Sequence, residues 1–183
     1  MKDEIKLTTE QEQALAMMLS GRNVFLTGKA GTGKSTILRS FQEKCPRDCV
    51  FLAPTGIAAI NIGGSTLHSF FQLKPGLLTP DSMEELRNRK RINLIRQVET
   101  IVIDEVSMVR SDLFAAIDAR LREVTQISRP FGGKQIILVG DFFHCVAFQA
   151  EYIFIIRDGL FQRFYRDSEV FDVCEIHNMK IKD

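Results

Sequence analysis

The sequence has no excess of either charge: Lys and Arg number 24 and Asp and Glu 23 in 183 residues. A global basic field that would hold nucleic acid by charge alone is therefore excluded, and any such surface must be local. Cysteine is scarce, with four residues (Cys45, Cys49, Cys145, Cys174) and no Cys-x-x-Cys pair. That pattern argues against zinc and disulfides and for free thiols in a reducing compartment. The first residues are charged and polar, unlike a signal peptide. The most apolar run, around Tyr152–Ile156, is far too short to span a bilayer. Repeats and low-complexity segments are lacking. The expectation is a soluble intracellular protein, cytoplasmic in a bacterium and nuclear or mitochondrial in a eukaryote. No membrane partner is expected, a monomer is favoured, and the length suits one domain spanning 1–183.

What is present begins at residues 28–35, Gly-Lys-Ala-Gly-Thr-Gly-Lys-Ser, a complete Gly-x-x-x-x-Gly-Lys-Ser phosphate-binding loop. Gly28, Gly31 and Gly33 allow a tight turn whose N–H groups point inward, where a Cβ would obstruct. Ala30, Thr32 and Thr36 complete the loop and the start of the next helix. Lys34 supplies a point charge for the β- and γ-phosphates, and the Ser35 hydroxyl suits magnesium. An apolar strand, 23–27, precedes the loop. A helix over 35–44 follows and places its N-terminus under the anion.

Further elements alternate. A helix is expected from Thr8 or Thr9 to Ser20 and a strand at 49–53, followed by short helices at 57–62 and 66–71. Pro75, Gly76, Pro80 and Asp81 mark a loop or small insertion over 72–82. The spacing predicts a helix over 84–98 carrying the densest basic run, Arg87-Asn88-Arg89-Lys90-Arg91, read as a solvated face before a phosphate contact. An apolar strand is expected at 100–103, a helix at 111–124, and a last strand at 135–139. Strands alternating with helices give an α/β fold with a mainly parallel sheet of the P-loop NTPase type.

The strand at 100–103 delivers Asp104 and Glu105 at its C-terminal end, where open α/β sheets bind ligands. Asp104 is the candidate magnesium carboxylate, and Glu105 the base that orients and deprotonates an attacking water. Lys34 joins them as a candidate catalytic group. Gly140-Asp141 ends the next strand in the same way, where a polar residue could sense the γ-phosphate. Gln11 has an amide able to pair with an adenine edge. These features predict ATP and magnesium as cofactors.

Several segments together resemble one family. They are residues 28–36, Ala-Pro-Thr-Gly-Ile-Ala-Ala (53–59), Gly-Gly-Ser-Thr-Leu-His-Ser-Phe-Phe (63–71), Asp-Glu-Val-Ser-Met (104–108), Pro-Phe-Gly-Gly-Lys-Gln (130–135) and Gly-Asp-Phe-Phe (140–143). Their order is similar to that in Pif-type helicases, superfamily-one 5′-to-3′ DNA helicases related to RecD. The likeness runs over about 7–143 and returns weakly near 159–171. It implies a RecA-like three-layer α/β/α domain that couples ATP hydrolysis to movement on single-stranded DNA. By the resemblance, Gln11 reads adenine. Pro54, Thr55, Gly56, Thr66, His68 and Phe70 fall in motifs lining the DNA path. For His68 and Phe70, core packing of a short helix stands as the alternative. The 72–82 insertion matches the family's small wedge subdomain.

Two departures qualify the resemblance. The family's Gln-Leu-Pro-Pro-Val after residue 143 is replaced by His144-Cys145-Val146-Ala147-Phe148, so His144 stands where a glutamine senses the γ-phosphate. The second RecA-like domain, which brings arginines to the γ-phosphate, lies outside these residues. The expectation is a motor fragment that hydrolyses slowly and does not unwind alone. The alternatives are a non-catalytic nucleotide- or DNA-binding module, or a small-molecule kinase, for which no lid is visible.

Overall fold

In a computed structural model of the chain, residues 7–78 and 83–140 are described, together with the backbone of 172–176. Asp141, His144, the altered stretch 144–157, the returning likeness at 159–171 and the tip of the insertion at 79–82 lie outside the described residues. The elements in chain order are α1 (Thr9–Leu19), β1 (Val24–Gly28), α2 (Lys34–Lys44), β2 (Cys49–Ala53), α3 (Gly56–Asn61) and β3 (Ser65–Thr66). They continue with α4 (Leu67–Phe71), α5 (Arg89–Gln97), β4 (Thr100–Ile103), α6 (Ser111–Thr125), β5 (Gln135–Gly140) and β6 (Asp172–Ile176).

The strands form one sheet in the order β3-β2-β4-β5-β1-β6, and every pairing is parallel. Residues 135–139 are therefore not the last strand: β6 follows and pairs with β1 along the far edge. Its segment lies beyond the apolar, turn-bounded runs from which the other strands were read.

Strand side chains alternate between two cores. Phe25, Leu52, Ile101, Ile103, Ile136 and Leu138 join residues of α4, α5 and α6 on one face. Val24, Leu26, Phe51, Val102, Ile137 and Val139 join α1 and α2 on the other. A sheet covered on both faces must be apolar on both, which is why these strands read as continuous hydrophobic runs. The result is the expected three-layer α/β/α arrangement.

The helix expected over 84–98 is shorter. It begins at Arg89, with the Asn88 side chain accepting from Arg91 N–H (3.1 Å) as the cap. Upstream, Arg120 Nη2 donates to the Glu84 carbonyl (2.8 Å), and Leu86 N–H donates to Glu123 (3.4 Å). Leu86 is buried. These contacts from α6 hold 84–86 out of the helix, a tertiary override of local propensity. Within the basic run, Arg87 pairs with Glu85 at 3.5 Å while exposed. Arg91 instead lies over the Phe70 ring, 5.6 Å from its centroid.

The Pro-Phe-Gly-Gly segment anchors the turn into β5. Phe131 adopts φ 53° and is fully buried, edge-on to Phe114 with centroids 5.3 Å apart. A Cβ on Gly132 would stand 2.3 Å from Thr125 Oγ1 and 2.8 Å from the Leu121 carbonyl, so only glycine fits there.

Ile37, on the first turns of α2, is fully buried in the core shared with α1. Ile37→Ala should cost about 2–5 kcal/mol. The expected result in a urea titration is a lower midpoint with an unchanged slope.

Candidate functional site

Because the sheet is parallel, the C-terminal ends of β1 to β5 share one edge, and the site is built there. β1 is buried along its whole length and carries the chain into the phosphate loop. Gly31 (φ 81°) and Gly33 (φ 88°) take left-handed conformations that favour glycine. Gly33 is also the N-cap of α2 and offers no side-chain hydrogen bond. The Thr36 N–H donates to the Gly33 carbonyl (2.9 Å), while those of Lys34 and Ser35 are left for an anion, with the helix dipole behind them. Thr32 is buried, and its hydroxyl donates to the Lys29 carbonyl (2.9 Å), fixing the loop's interior. Lys34 Nζ donates to the carbonyls of Gly28 (2.5 Å) and Lys29 (3.1 Å). Its ammonium is therefore stationed at the loop. Ser35 is exposed on the first turn of α2, and Ala30 is exposed on the loop.

Gln11 lies beside the phosphate loop. It is 1% exposed. Its Oε1 accepts from Thr8 N–H (3.0 Å) while Thr8 Oγ1 accepts from Gln11 N–H (3.4 Å), a reciprocal capping box at the start of α1. Its Nε2 reaches the Thr32 carbonyl at 3.5 Å. In this arrangement the amide joins α1 to the phosphate loop through one contact at each end, leaving its second N–H and second lone pair uncommitted. The Thr-x-x-Gln spacing of residues 8–11 was the sequence signal for this.

β4 lies two strands from β1, with β5 between them. Ile103 pairs with Leu138, and Thr27 with Gly140. Asp104, the residue after β4, keeps strand geometry by donating its N–H to the Leu52 carbonyl (2.9 Å). Burial pushes its carboxyl above the ordinary carboxylate range. A 2.9 Å hydrogen bond from Glu105 N–H and the charge of Lys34 pull the other way, while the Glu105 charge adds to the rise. The Lys34 charge is felt at Asp104, so the phosphate loop and the acidic pair lie within electrostatic reach of each other.

Glu105 is exposed and adopts φ 52°, ψ 41°, a left-handed conformation costing a non-glycine residue about 1 kcal/mol. It opens a short 3-10 turn, Val106–Met108. That turn rests on the end of β5: a Cβ on Gly140 would come within 2.9 Å of Val106 Cγ1. Sequence reasoning assigned Gly140 no role. Its lack of a side chain is what lets the acidic turn close over the neighbouring strand.

On the other half of the same edge, β2 and β3 end side by side, Ala53 paired with Thr66. Pro54, Thr55 and Gly56 leave β2, and Thr66, Leu67 and His68 leave β3. Thr55 caps α3 by accepting from Ala58 N–H (3.2 Å), and Thr66 caps α4 by accepting from Ser69 N–H (3.2 Å). Gly56 is exposed and His68 half-buried. Phe70 is only 3% exposed, packed edge-on to Phe71 at 5.0 Å and covered by Arg91. Its ring is a core element, and no base can stack on it in this arrangement, so the packing alternative holds for Phe70. Exposed Ile57 and Ile60 on α3 instead present apolar surface beside Thr55 and Gly56.

The donor set fits magnesium. Ser35 and Asp104 offer hard oxygen ligands, and Asp104 is a partly buried carboxylate whose ionised form needs a compensating cation. No cluster of three or more His, Cys, Asp or Glu exists among the described residues. No helix among the described residues is long and apolar enough to cross a membrane.

The comparisons with known proteins agree with the geometry. The family model described as PIF1-like helicase matches residues 6–151. An ATP-dependent DNA helicase Pif1 of Bdellovibrio bacteriovorus is 40% identical over 144 residues, covering 76% of this chain and 32% of that protein. The ATP-dependent DNA helicase PIF1 of Candida albicans is 41% identical over 145 residues, covering 76% of this chain and 16% of its own length. Among solved structures, Bacteroides Pif1 bound to single-stranded DNA superposes with a TM-score of 0.78 at 38% identity, covering 94% of this chain and 42% of that one. Pif1 from Bacteroides in complex with ADP-AlF3 and single-stranded DNA does so with the same score at 36% identity, covering 97% and 43%. The chain thus spans less than half the length of these relatives.

Asp104 gives a test of the electrostatics. Its folded pKa is raised, so the folded state holds this proton more readily than the unfolded chain does. Ionised Asp104 therefore opposes folding at neutral pH, and the opposition fades as pH falls through its raised pKa toward the ordinary carboxylate value. Asp104→Asn keeps the acceptor for Glu105 N–H and removes the charge. Its melting temperature should exceed the parent's at pH 7, and the two should converge as the pH is lowered through that window. A lower melting temperature at pH 7 would contradict the assignment.

Proposed function

The chain belongs to the PIF1-like helicase family, and we propose that residues 1–183 form the ATP-binding and ATP-hydrolysing RecA-like domain of a 5′-to-3′ DNA helicase. The observation that carries this reading is one sheet edge holding a phosphate loop over an uncapped α2 and, two strands away, the adjacent carboxylates Asp104 and Glu105.

In this reading the N–H groups of 31–35 hold the β- and γ-phosphates. Lys34 exchanges its carbonyl partners at Gly28 and Lys29 for phosphate oxygens. Ser35 and Asp104 would hold a magnesium ion, which when bound would supply charge neutralisation at the phosphates. Glu105, exposed and aimed by its left-handed backbone, orients a water and takes its proton. Gln11 holds the α1 N-terminus against the phosphate loop, so it responds to nucleotide through Thr32.

Single-stranded DNA is the proposed partner of the β2–β3 end of the edge. Pro54, Thr55, Gly56, Thr66 and His68 are its candidate contacts, and residues 72–82 the candidate wedge. An arginine supplied from a second RecA-like domain would come from outside these residues, and such a charge is worth about 1,000- to 100,000-fold in rate. Slow turnover and no unwinding are therefore proposed for the chain on its own.

The test is Glu105→Gln in the purified chain. Turnover measured by phosphate release should fall about 100- to 10,000-fold, while the Kd for a fluorescent ATP analogue stays within about threefold of the parent's. A parent that binds the analogue and shows no turnover would favour the non-catalytic module. Robust DNA-stimulated strand displacement by residues 1–183 would overturn the need for a second domain.

A further inference from the structure

Cys45 is the C-terminal cap of α2, its N–H donating to the Phe41 carbonyl at 2.8 Å, and Cys49 is the first residue of β2. Only Pro46, Arg47 and Asp48 separate them. The turn brings the two sulfurs to 2.9 Å, with the Cys49 S–H directed at Cys45 Sγ and also 3.3 Å from the Arg47 carbonyl. A disulfide needs about 2.05 Å, so the sulfurs have less than about an ångström to close.

The turn is pinned. Arg47 Nη2 donates to the carbonyls of Met18 (3.3 Å) and Leu19 (3.0 Å) at the end of α1. Both thiols are half-buried and line a cleft of about 430 Å³ together with Gln42, Gly63, Gly64 and Ser65. A small oxidant therefore reaches them from solvent. Burial, reinforced by the hydrogen bond to Cys45, pushes the Cys49 thiol up to about 12. Cys49 is the S–H donor of the pair, and Cys45 the sulfur that accepts.

We propose that Cys45 and Cys49 form an oxidant-reactive dithiol site that closes a reversible disulfide across the α2–β2 turn, with a peroxide as the oxidant. The Cys45 sulfur attacks a peroxide oxygen. The O–O bond breaks, Cys45 becomes a sulfenic acid, and the departing hydroxide leaves as water with the thiol proton. Cys49 sulfur then attacks Cys45 sulfur, the S–O bond breaks, and the hydroxide takes the Cys49 proton as a second water. Two thiols lose two electrons, and one peroxide becomes two waters. A dithiol reductant reverses the bond by exchange.

The site lies at the far end of α2 from the phosphate loop, so it stands or falls independently of the nucleotide reading. The test treats the chain and a Cys145→Ser/Cys174→Ser variant with hydrogen peroxide, blocks remaining thiols with N-ethylmaleimide, digests with trypsin and reads the peptides by mass spectrometry. Trypsin cuts after Lys44 and Arg47, inside the ring. The bond therefore shows as Cys45-Pro46-Arg47 held to the peptide beginning at Asp48, two hydrogens lighter than the separate thiols and released by dithiothreitol. Cys49→Ser should trap Cys45 as a sulfenic acid that dimedone labels more strongly than in the parent. Both thiols still blocked, Cys45 driven to sulfinic acid beside a blocked Cys49, pairing with Cys145 or Cys174 instead, or no gain in dimedone label would each overturn the proposal.

Discussion

β4 has four residues and none of them touches solvent. Ile101 and Ile103 fill one core and Val102 the other, while β2 and β5 hold the strand on both sides. A slip of one residue would exchange every side chain between the cores, so the register is strongly specified. Its amino end is fixed as well. Thr100 Oγ1 donates to Gln135 Oε1 (2.8 Å), and Gln135 Nε2 donates to the carbonyls of Met18 and Arg22 (both 2.7 Å). This buried hub ties β4, β5 and the end of α1 together with its polar atoms paired, the condition under which buried polarity specifies rather than destabilises. Asp104 is the next residue after that strand. Its position and its raised pKa have one cause, the burial of everything that leads to it.

The acidic turn then departs from what is locally comfortable. Glu105 holds a left-handed conformation although asparagine or glycine would do so at less cost. Gly140, on the adjacent strand, leaves room for Val106 where a methyl group would not fit. The two features are halves of one constraint: the chain must turn sharply after Asp104 and lie on the end of β5. Strain at an exposed carboxylate, supported by a neighbour that has given up its side chain, is what a site for chemistry predicts and what packing alone does not require.

Much of this was legible in the residues because each signal was local. β2 and β4 occupy the expected 49–53 and 100–103, as short apolar runs bounded by turn residues allow. The phosphate loop and the Asp104-Glu105 pair declare their chemistry by spacing. What was not legible depends on contacts far apart in sequence. The helix expected from 84 starts at 89 because Arg120 and Glu123 take the backbone of Glu84 and Leu86. Core packing of Phe70 was an open alternative from its short helix, but the Arg91 that lies over its ring is 21 positions away and announced by no nearby motif. The Thr-x-x-Gln spacing announces the Gln11 contact with Thr8, but its contact with Thr32 lies 21 positions away in sequence. Cys45 and Cys49 were read as scattered because they lack a Cys-x-x-Cys spacing, whereas a turn from helix to strand brings an i, i+4 pair together equally well.

The two halves of the sheet edge are joined by a single strand, and this limits how they can communicate. Asp104 N–H bonds Leu52, two residues before Pro54, so the acidic site and the β2 exit share a rigid register. A packed sheet does not deform continuously, which leaves the segments beyond the strands as the parts able to respond. Thr55 and Thr66 stand at that boundary. Each hydroxyl already accepts one helix N–H, yet a hydroxyl has a donor hydrogen besides its two lone pairs. Capping therefore does not compete with a phosphate contact. It fixes the oxygen and leaves its hydrogen to point outward, so the same two side chains can end a strand, start a helix and, in the proposed reading, hold a nucleic-acid backbone without surrendering any bond they make here.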